Sequence, residues 1–163
     1  MTFEYCPKCG ASLIPKPIGD EGEVPFCPSC ERPWFSYSAP CVICLCTDGE
    51  GGYLLIRQSY GVKKFACVAG YLKAGETAEQ TVSREIAEET GLEAEKLTYV
   101  NSYYYPKHDN LMLGFAVKVR RSEFRLSDEV ESARWFTKDE ALAAVNPDSV
   151  VMRLMRDYFA MNG

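Results

Sequence analysis

The chain has no run of about 18 apolar residues, the length a membrane-crossing helix needs. Its first residues, MTFEYCPKCG, lack the basic-then-apolar text of a secretion signal, so a cytoplasmic protein is expected. An excess of basic residues is missing too. Eighteen Lys and Arg stand against 23 Asp and Glu, a net charge of −5, and no basic stripe is visible. That balance argues against a non-specific nucleic-acid binder and against an anionic membrane surface as partner. No internal repeat or low-complexity segment occurs, and 163 residues suffice for one good core plus a small appendage.

Cysteine is plentiful. Eight of them in a cytosolic chain call for metal or burial rather than disulfides. Cys6, Cys9, Cys27 and Cys30 form two C-x2-C pairs, each with a proline (Pro7, Pro28) after its first cysteine and with 17 residues between the pairs. This is the spacing of a four-cysteine zinc ribbon. Tetrahedral thiolates leave no open position, so Zn²⁺ there would be structural. Too few apolar residues surround it for folding without metal, and a structural or dimer-supporting role is expected. Cys41, Cys44, Cys46 and Cys67 lie in apolar, strand-like text and read as buried thiols. The expected division is a ribbon over residues 1–36 and a second domain over 37–163, with ERPWFSYSAP (31–40) as linker.

In the second domain CVICLC (41–46) and YLLIRQS (53–59) read as strands about a TDGEGG turn. LTYVNSYYY (97–105) and LMLGFAVKVR (111–120) read as two more, joined by PKHDN, and RLSDEVESARWF (125–136) as the last. TKDEALAAV and DSVVMRLMRDYFA read as closing helices, the second with its apolar face at 150, 151, 154, 155 and 158.

The centre of the chain is GYLKAGETAEQTVSREIAEETGL, residues 70–92. Thr77 with Gln80 forms a capping box, Gly91 supplies a left-handed stop, and Ala78, Val82 and Ile86 make a buried stripe. Glu85, Glu88 and Glu89 stand at i, i+3 and i+4, so their carboxylates share another face, at a cost of roughly 0.2–0.5 kcal/mol per pair. A hard divalent cation, Mg²⁺ or Mn²⁺, would relieve that repulsion through oxygen ligands, and the Gly70 carbonyl could be one more.

This stretch resembles the Nudix hydrolase signature, G-x5-E-x7-R-E-U-x-E-E-x-G-U with U apolar, at every position: Gly70, Glu76, Arg84, Glu85, Ile86, Glu88, Glu89, Gly91 and Leu92. Seven fixed residues match by chance in on the order of one window in a billion. The ribbon and the Ala-Gly-aromatic step at 69–71 are similar to the zinc-ribbon-containing NADH pyrophosphatase branch of that family. The resemblance implies an α/β fold, the Nudix α/β/α sandwich with a mixed sheet, preceded by the ribbon. It implies metal-dependent hydrolysis of the pyrophosphate bond of a nucleoside diphosphate derivative, with a dinucleotide such as NAD(H) as the expected substrate. FAD, ADP-ribose or a nucleoside triphosphate are the alternative substrates; a catalytically silent nucleotide-binding protein or a zinc-ribbon regulator is the alternative outside enzymes. The implied metal ligands are Gly70, Glu85, Glu88 and Glu89, with Glu88 or Glu89 also orienting or deprotonating water, and Glu76 and Arg84 bracing the loop. A homodimer without nucleic-acid or membrane partners is expected.

That branch has a second motif, S-Q-P-W-P-F-P-x-S-L-M, where this chain reads SYYYPKHDNLM from Ser102 to Met112. Ser102, one proline, Leu111 and Met112 agree, and Tyr105 keeps an aromatic ring. Tyr103, Tyr105, Lys107 and His108 are therefore the candidate substrate-binding residues, and Lys107 and His108 make this loop more cationic than the branch. The family often places a Glu immediately before the Ala of Ala133-Arg134-Trp135-Phe136 and uses it near the metal; Ser132 stands there, Glu131 one residue earlier would point to the opposite face of a strand, and Glu129 is left as the candidate.

Overall fold

The computed structural model describes residues 3–61 and 64–162. It separates into two compact units, Met1–Ser38 and Ala39–Gly163. In the first, β1 (Ile14–Pro17), β2 (Glu23–Cys27) and β3 (Arg32–Pro33) form a three-stranded antiparallel sheet. Its buried apolar residues among those described are Cys6, Val24 and Cys27. Three side chains, two of them cysteines, make a poor core, as expected of a fold that leans on a metal. The stretch read as a linker is in part structured: Arg32 and Pro33 pair with Cys27 and Phe26, and Ala39 already starts the next sheet.

The second unit is a mixed sheet between helices. β4 (Ala39–Thr47), β5 (Tyr53–Gln58), β6 (Val68–Tyr71), β7 (Glu93–Tyr105), β8 (Asn110–Arg120) and β9 (Val130–Phe136) are ordered β7-β8-β4-β5-β9, with β6 also on β4. Among the described residues only β4 and β8 run parallel, in register from Ala39↔Asn110 to Thr47↔Lys118. The other edge of β4 is shared. Residues 41–44 pair with β6, and only Cys46 and Thr47 pair with β5. The sheet forks there, and the fork opens beside the helix that follows β6.

Alternation along β4 decides what each face packs against. Val42, Cys44 and Cys46 point toward α1 (Ala78–Thr90), joining Val82, Ile86, Leu92, Phe115 and Val117. Ile43 and Leu45 point to the other side, with Tyr103, Leu154 and Met155 under α2 (Lys138–Ala144) and α3 (Val150–Met161). This is the expected α/β/α sandwich, and Cys41, Cys44, Cys46 and Cys67 are all buried free thiols. The ends of α1 follow the sequence signals. Thr77 Oγ1 accepts from the Gln80 N–H, the Gln80 side chain accepts from the Thr77 N–H, and Gly91 sits at φ 72° with its N–H donating to Ala87 O.

Two expectations need correction. The last strand begins at Val130, not at 125, because Arg125 and Ser127 donate their N–H groups to Thr90 O and Glu89 O rather than to a neighbouring strand. Tyr103, expected at the substrate, is a core residue at 2% exposure. A bulge between Tyr99 and Asn101 turns the strand over: Tyr99 lies against Phe115 on the α1 side, whereas Tyr103 pairs with Met112 on the α3 side. Its hydroxyl donates to Asp157 Oδ2 at 2.8 Å, and Arg153 lies over its ring.

Candidate active site

A cavity of about 510 Å³ opens at the fork. It is lined by Gly70 and Tyr71 of β6, by Glu85, Glu88 and Glu89 of α1, and by Glu129 just before β9, among others. The i, i+3, i+4 spacing on one helix brings the three glutamates to it, as the sequence implied.

Arg84 and Glu76 hold this arrangement together. Arg84 Nε donates to Glu76 Oε1 at 2.7 Å, and Nη2 donates to Glu76 Oε2 and to Tyr71 O. Its Nη1 donates to Glu85 Oε1 at 2.6 Å and to Glu88 Oε2 at 3.0 Å. Glu76 Oε2 also accepts from the Lys73 N–H and from Thr81 Oγ1, which fastens the loop to the helix. The Arg84 hydrogen bonds, followed by that of Lys73 N–H, hold the Glu76 carboxyl down at about 2. Its bracing contribution is therefore complete above the ordinary glutamate range and fades only as the pH falls toward 2.

The three clustered glutamates are not equivalent. Glu88 is half exposed and tied to Arg84 and, at 3.6 Å, to Lys73 Nζ. Glu85 is nearly covered and tied to Arg84. Glu89 is 5% exposed, and its Oε2 has no hydrogen-bond partner. Burial first, then Glu85, Glu129 and Glu88, push its carboxyl up to about 8. The donor set suits a hard cation: it is all oxygen, and a buried acceptor is left without a donor.

Gly70 matters through what it lacks. A Cβ there would overlap the Glu85 carboxylate, the flexible end of a side chain rather than backbone. We expect Gly70→Ala to fold with little loss of stability while displacing Glu85 from Arg84. The expected readouts are an unchanged thermal transition in EDTA and Mn²⁺ binding weakened by about tenfold or more, since supporting contacts at metal sites carry that much.

Tyr105, Lys107 and His108, the remaining substrate candidates, do not line this cavity. Tyr105 and His108 rest against each other with ring centroids 5.5 Å apart, and Lys107 is exposed in the turn. The cavity instead takes Asn110 and Met112 from β8, Gln58 at the end of β5, Tyr60 after it, and Ser127. Asn110 is buried, donates from Nδ2 to the Tyr71 hydroxyl at 3.2 Å, and keeps Oδ1 unpartnered. Its place opening an apolar strand was a weak signal; nothing in the sequence marked Gln58, Tyr60 or Ser127.

In the first unit the thiols of Cys6, Cys9, Cys27 and Cys30 lie within 4.8 Å of one another. Cys9 Sγ to Cys27 Sγ is 3.5 Å and Cys6 Sγ to Cys30 Sγ is 3.9 Å. A tetrahedron with zinc–sulfur bonds of about 2.3 Å has edges of about 3.8 Å, so these four fit such an ion.

Comparison with known proteins adds the following. The model of the NUDIX domain matches residues 38–155. The NAD-capped RNA hydrolase NudC of Pseudomonas aeruginosa (strain LESB58) is 31% identical over 157 residues, 96% of this chain and 55% of that protein. The mitochondrial NAD(P)H pyrophosphatase NUDT13 of Mus musculus is 34% identical over 146 residues, 87% of this chain and 41% of that one. The chain thus spans about half the length of the curated relatives it matches. A NUDIX hydrolase from Nitrosomonas europaea has the same fold, with TM-score 0.75 at 21% identity, over 97% of this chain and 91% of that one.

Proposed function

The chain belongs to the NUDIX domain family, and from that premise we propose that it hydrolyses the pyrophosphate bond of a nucleoside diphosphate derivative, using Mg²⁺ or Mn²⁺. Glu89 carries this reading: a carboxylate that is buried, unpartnered and surrounded by other carboxylates is costly unless something cationic belongs beside it. Glu85, Glu88 and Glu89, with the Gly70 carbonyl, would hold the ion. Once bound, it supplies the positive charge that lets an anionic pyrophosphate approach the glutamates and that polarises a phosphoryl oxygen.

The remaining work falls to the chain's own groups. Arg84 keeps Glu85 and Glu88 aimed at one point, and Glu76 keeps Arg84 in place; both act as positioning residues. Glu89 Oε2 receives a proton from the water whose oxygen attacks phosphorus. The bridging P–O bond breaks, and its electron pair leaves with the other phosphate. The products are a nucleoside monophosphate and a second phosphate ester. Glu89 suits this base role better than Glu88, because Glu88 already shares its oxygens with Arg84 and Lys73.

The leading substrate is a dinucleotide such as NAD(H), supported by the similarity to the NAD-capped RNA hydrolase NudC and the NAD(P)H pyrophosphatase NUDT13 and by the Ala-Gly-aromatic step. A free dinucleotide is favoured over an NAD-capped RNA end because the chain is acidic overall. The test compares kcat/KM for NADH, NAD⁺, FAD, ADP-ribose and NAD-capped RNA. NADH or NAD⁺ is expected to lead; a tenfold lead for FAD or ADP-ribose, about 1.4 kcal/mol in transition-state binding, would end the NAD(H) assignment and leave the hydrolase.

Residues 1–36 are assigned a structural Zn²⁺ on their four cysteines, and 37–163 the chemistry. A homodimer is proposed on the exposed Tyr5, Ile14, Phe35 and Tyr37 of the first unit, and sedimentation at micromolar concentration would test it. Among the described residues no helix is long and apolar enough to cross a membrane.

A further inference from the structure

We propose that Tyr60 is a specificity-determining residue whose ring stacks on the second ring system of a dinucleotide, the group beyond the pyrophosphate from the adenosine. The proposal deepens the reading above and rests on it. Among the large apolar and aromatic side chains described as exposed, only Tyr60 and Tyr71 line the cavity, at 56% and 57% exposure. Among the described residues neither ring packs against another ring or under a cation. A ring exposed at a cavity mouth offers its whole face to a ligand, and stacking on it accepts any planar ring.

The fork places one ring on each side. β5 and β6 both run antiparallel to β4, so both finish at the end of the sheet where β4 begins. Tyr71 closes β6, and Tyr60 follows shortly after Gln58, the last residue of β5. From each prong a different set of contacts leads to the glutamates. Arg84, bonded to Glu85 and Glu88, donates from Nη2 to Tyr71 O. On the other prong Ser59 donates its N–H to Glu129 O and its hydroxyl to Asp128 O, both at 2.9 Å. Ser127 of that same segment donates its N–H to Glu89 O. A pyrophosphate drawn to the glutamates by their ion would therefore lie between the two rings.

The rings are held differently. The Tyr71 hydroxyl accepts from Nδ2 of the buried Asn110 at 3.2 Å, which fixes its face. A fixed face suits adenosine, the part that NAD(H), FAD and ADP-ribose share. Among the described residues no hydrogen bond engages the Tyr60 hydroxyl. Burial, then Glu129 and Glu89, push its phenol above the ordinary tyrosine value, so the ring stays neutral near pH 7 and sits in the field of the acidic wall. A neutral π face beside carboxylates favours a cationic pyridinium such as that of NAD⁺. What differs among these substrates is then read at Tyr60. A nicotinamide or flavin ring gains from it, and the bare ribose of ADP-ribose does not.

The test compares kcat/KM for NAD⁺, FAD and ADP-ribose in the wild type, Tyr60→Leu and Tyr60→Phe, all as the full chain. ADP-ribose is NAD⁺ without its nicotinamide, so it keeps adenosine and pyrophosphate and lacks only the ring in question. Tyr60→Leu is expected to lower kcat/KM for NAD⁺ and FAD by about tenfold, chiefly by raising KM, and to leave ADP-ribose within about twofold. Tyr60→Phe keeps the ring and should stay within about twofold of the wild type on all three. Equal losses on NAD⁺ and ADP-ribose in Tyr60→Leu would overturn the inference, because a structural role moves both. Undiminished kcat/KM for NAD⁺ and FAD in that variant would overturn it too. So would a loss in Tyr60→Phe as large as in Tyr60→Leu, which would assign the effect to the hydroxyl. Cleavage of none of the three by the wild type would instead overturn the hydrolase reading itself.

Discussion

Glu89→Gln should lower turnover by roughly 10²–10⁴ and, in EDTA at about pH 8.5, raise the stability of the protein. The two effects have one cause. Glu89 is pushed up to about 8 by burial and by Glu85, Glu129 and Glu88. A carboxyl raised above its unfolded value binds its proton more tightly in the folded state. Its favourable contribution is full below about pH 4.5 and is lost as the pH rises toward 8. By about pH 8.5 the ion-free fold carries a buried, uncompensated charge worth on the order of a few kcal/mol. Glutamine removes that charge and leaves an unpaired amide, costing about 1–3 kcal/mol at any pH. The variant should therefore melt higher than the wild type near pH 8.5 and no higher near pH 5. Added Mg²⁺ should reverse the order near pH 8.5, because only the wild type gains a ligand. Full activity of the variant, or full wild-type activity in EDTA, would sink the assignment of Glu89.

Cys27→Ser should release one zinc per chain and unfold residues 5–32, while the second unit keeps its own melting transition. Cys27 is completely buried, and with Cys6 and Val24 it makes up the buried apolar residues described in that unit. Against the ordering cost of some 30 residues such a core contributes little. A bound structural zinc supplies roughly 10–16 kcal/mol in comparable small sites, so removing one of four ligands removes the main term. Elemental analysis gives the metal count, and amide exchange over β1 and β2 gives the folding. Protected amides in a zinc-free preparation would contradict the prediction, as would disulfides among Cys6, Cys9, Cys27 and Cys30.

What the sequence determined is what depends on short-range geometry. A capping box and a left-handed glycine bracket α1 within one turn of each end, so its limits were readable without any partner. Fixed helical periodicity put Glu85, Glu88 and Glu89 on one side, and two C-x2-C pairs at ribbon spacing put four thiols together. The tertiary structure alone decided which of those groups are buried. Glu88 and Glu89 are adjacent and identical in chemistry, yet the segment at 125–129 bonds to the backbone at Glu89, which is covered, while Glu88 faces water. Bulges at Val100 and Glu131 each reverse the face a strand presents, taking Tyr103 into the core and leaving Glu129 at the cavity. A bulge is one unpaired residue whose placement is set by the neighbouring strand, and that strand is distant in sequence. Alternation read along one strand therefore carries no trace of it.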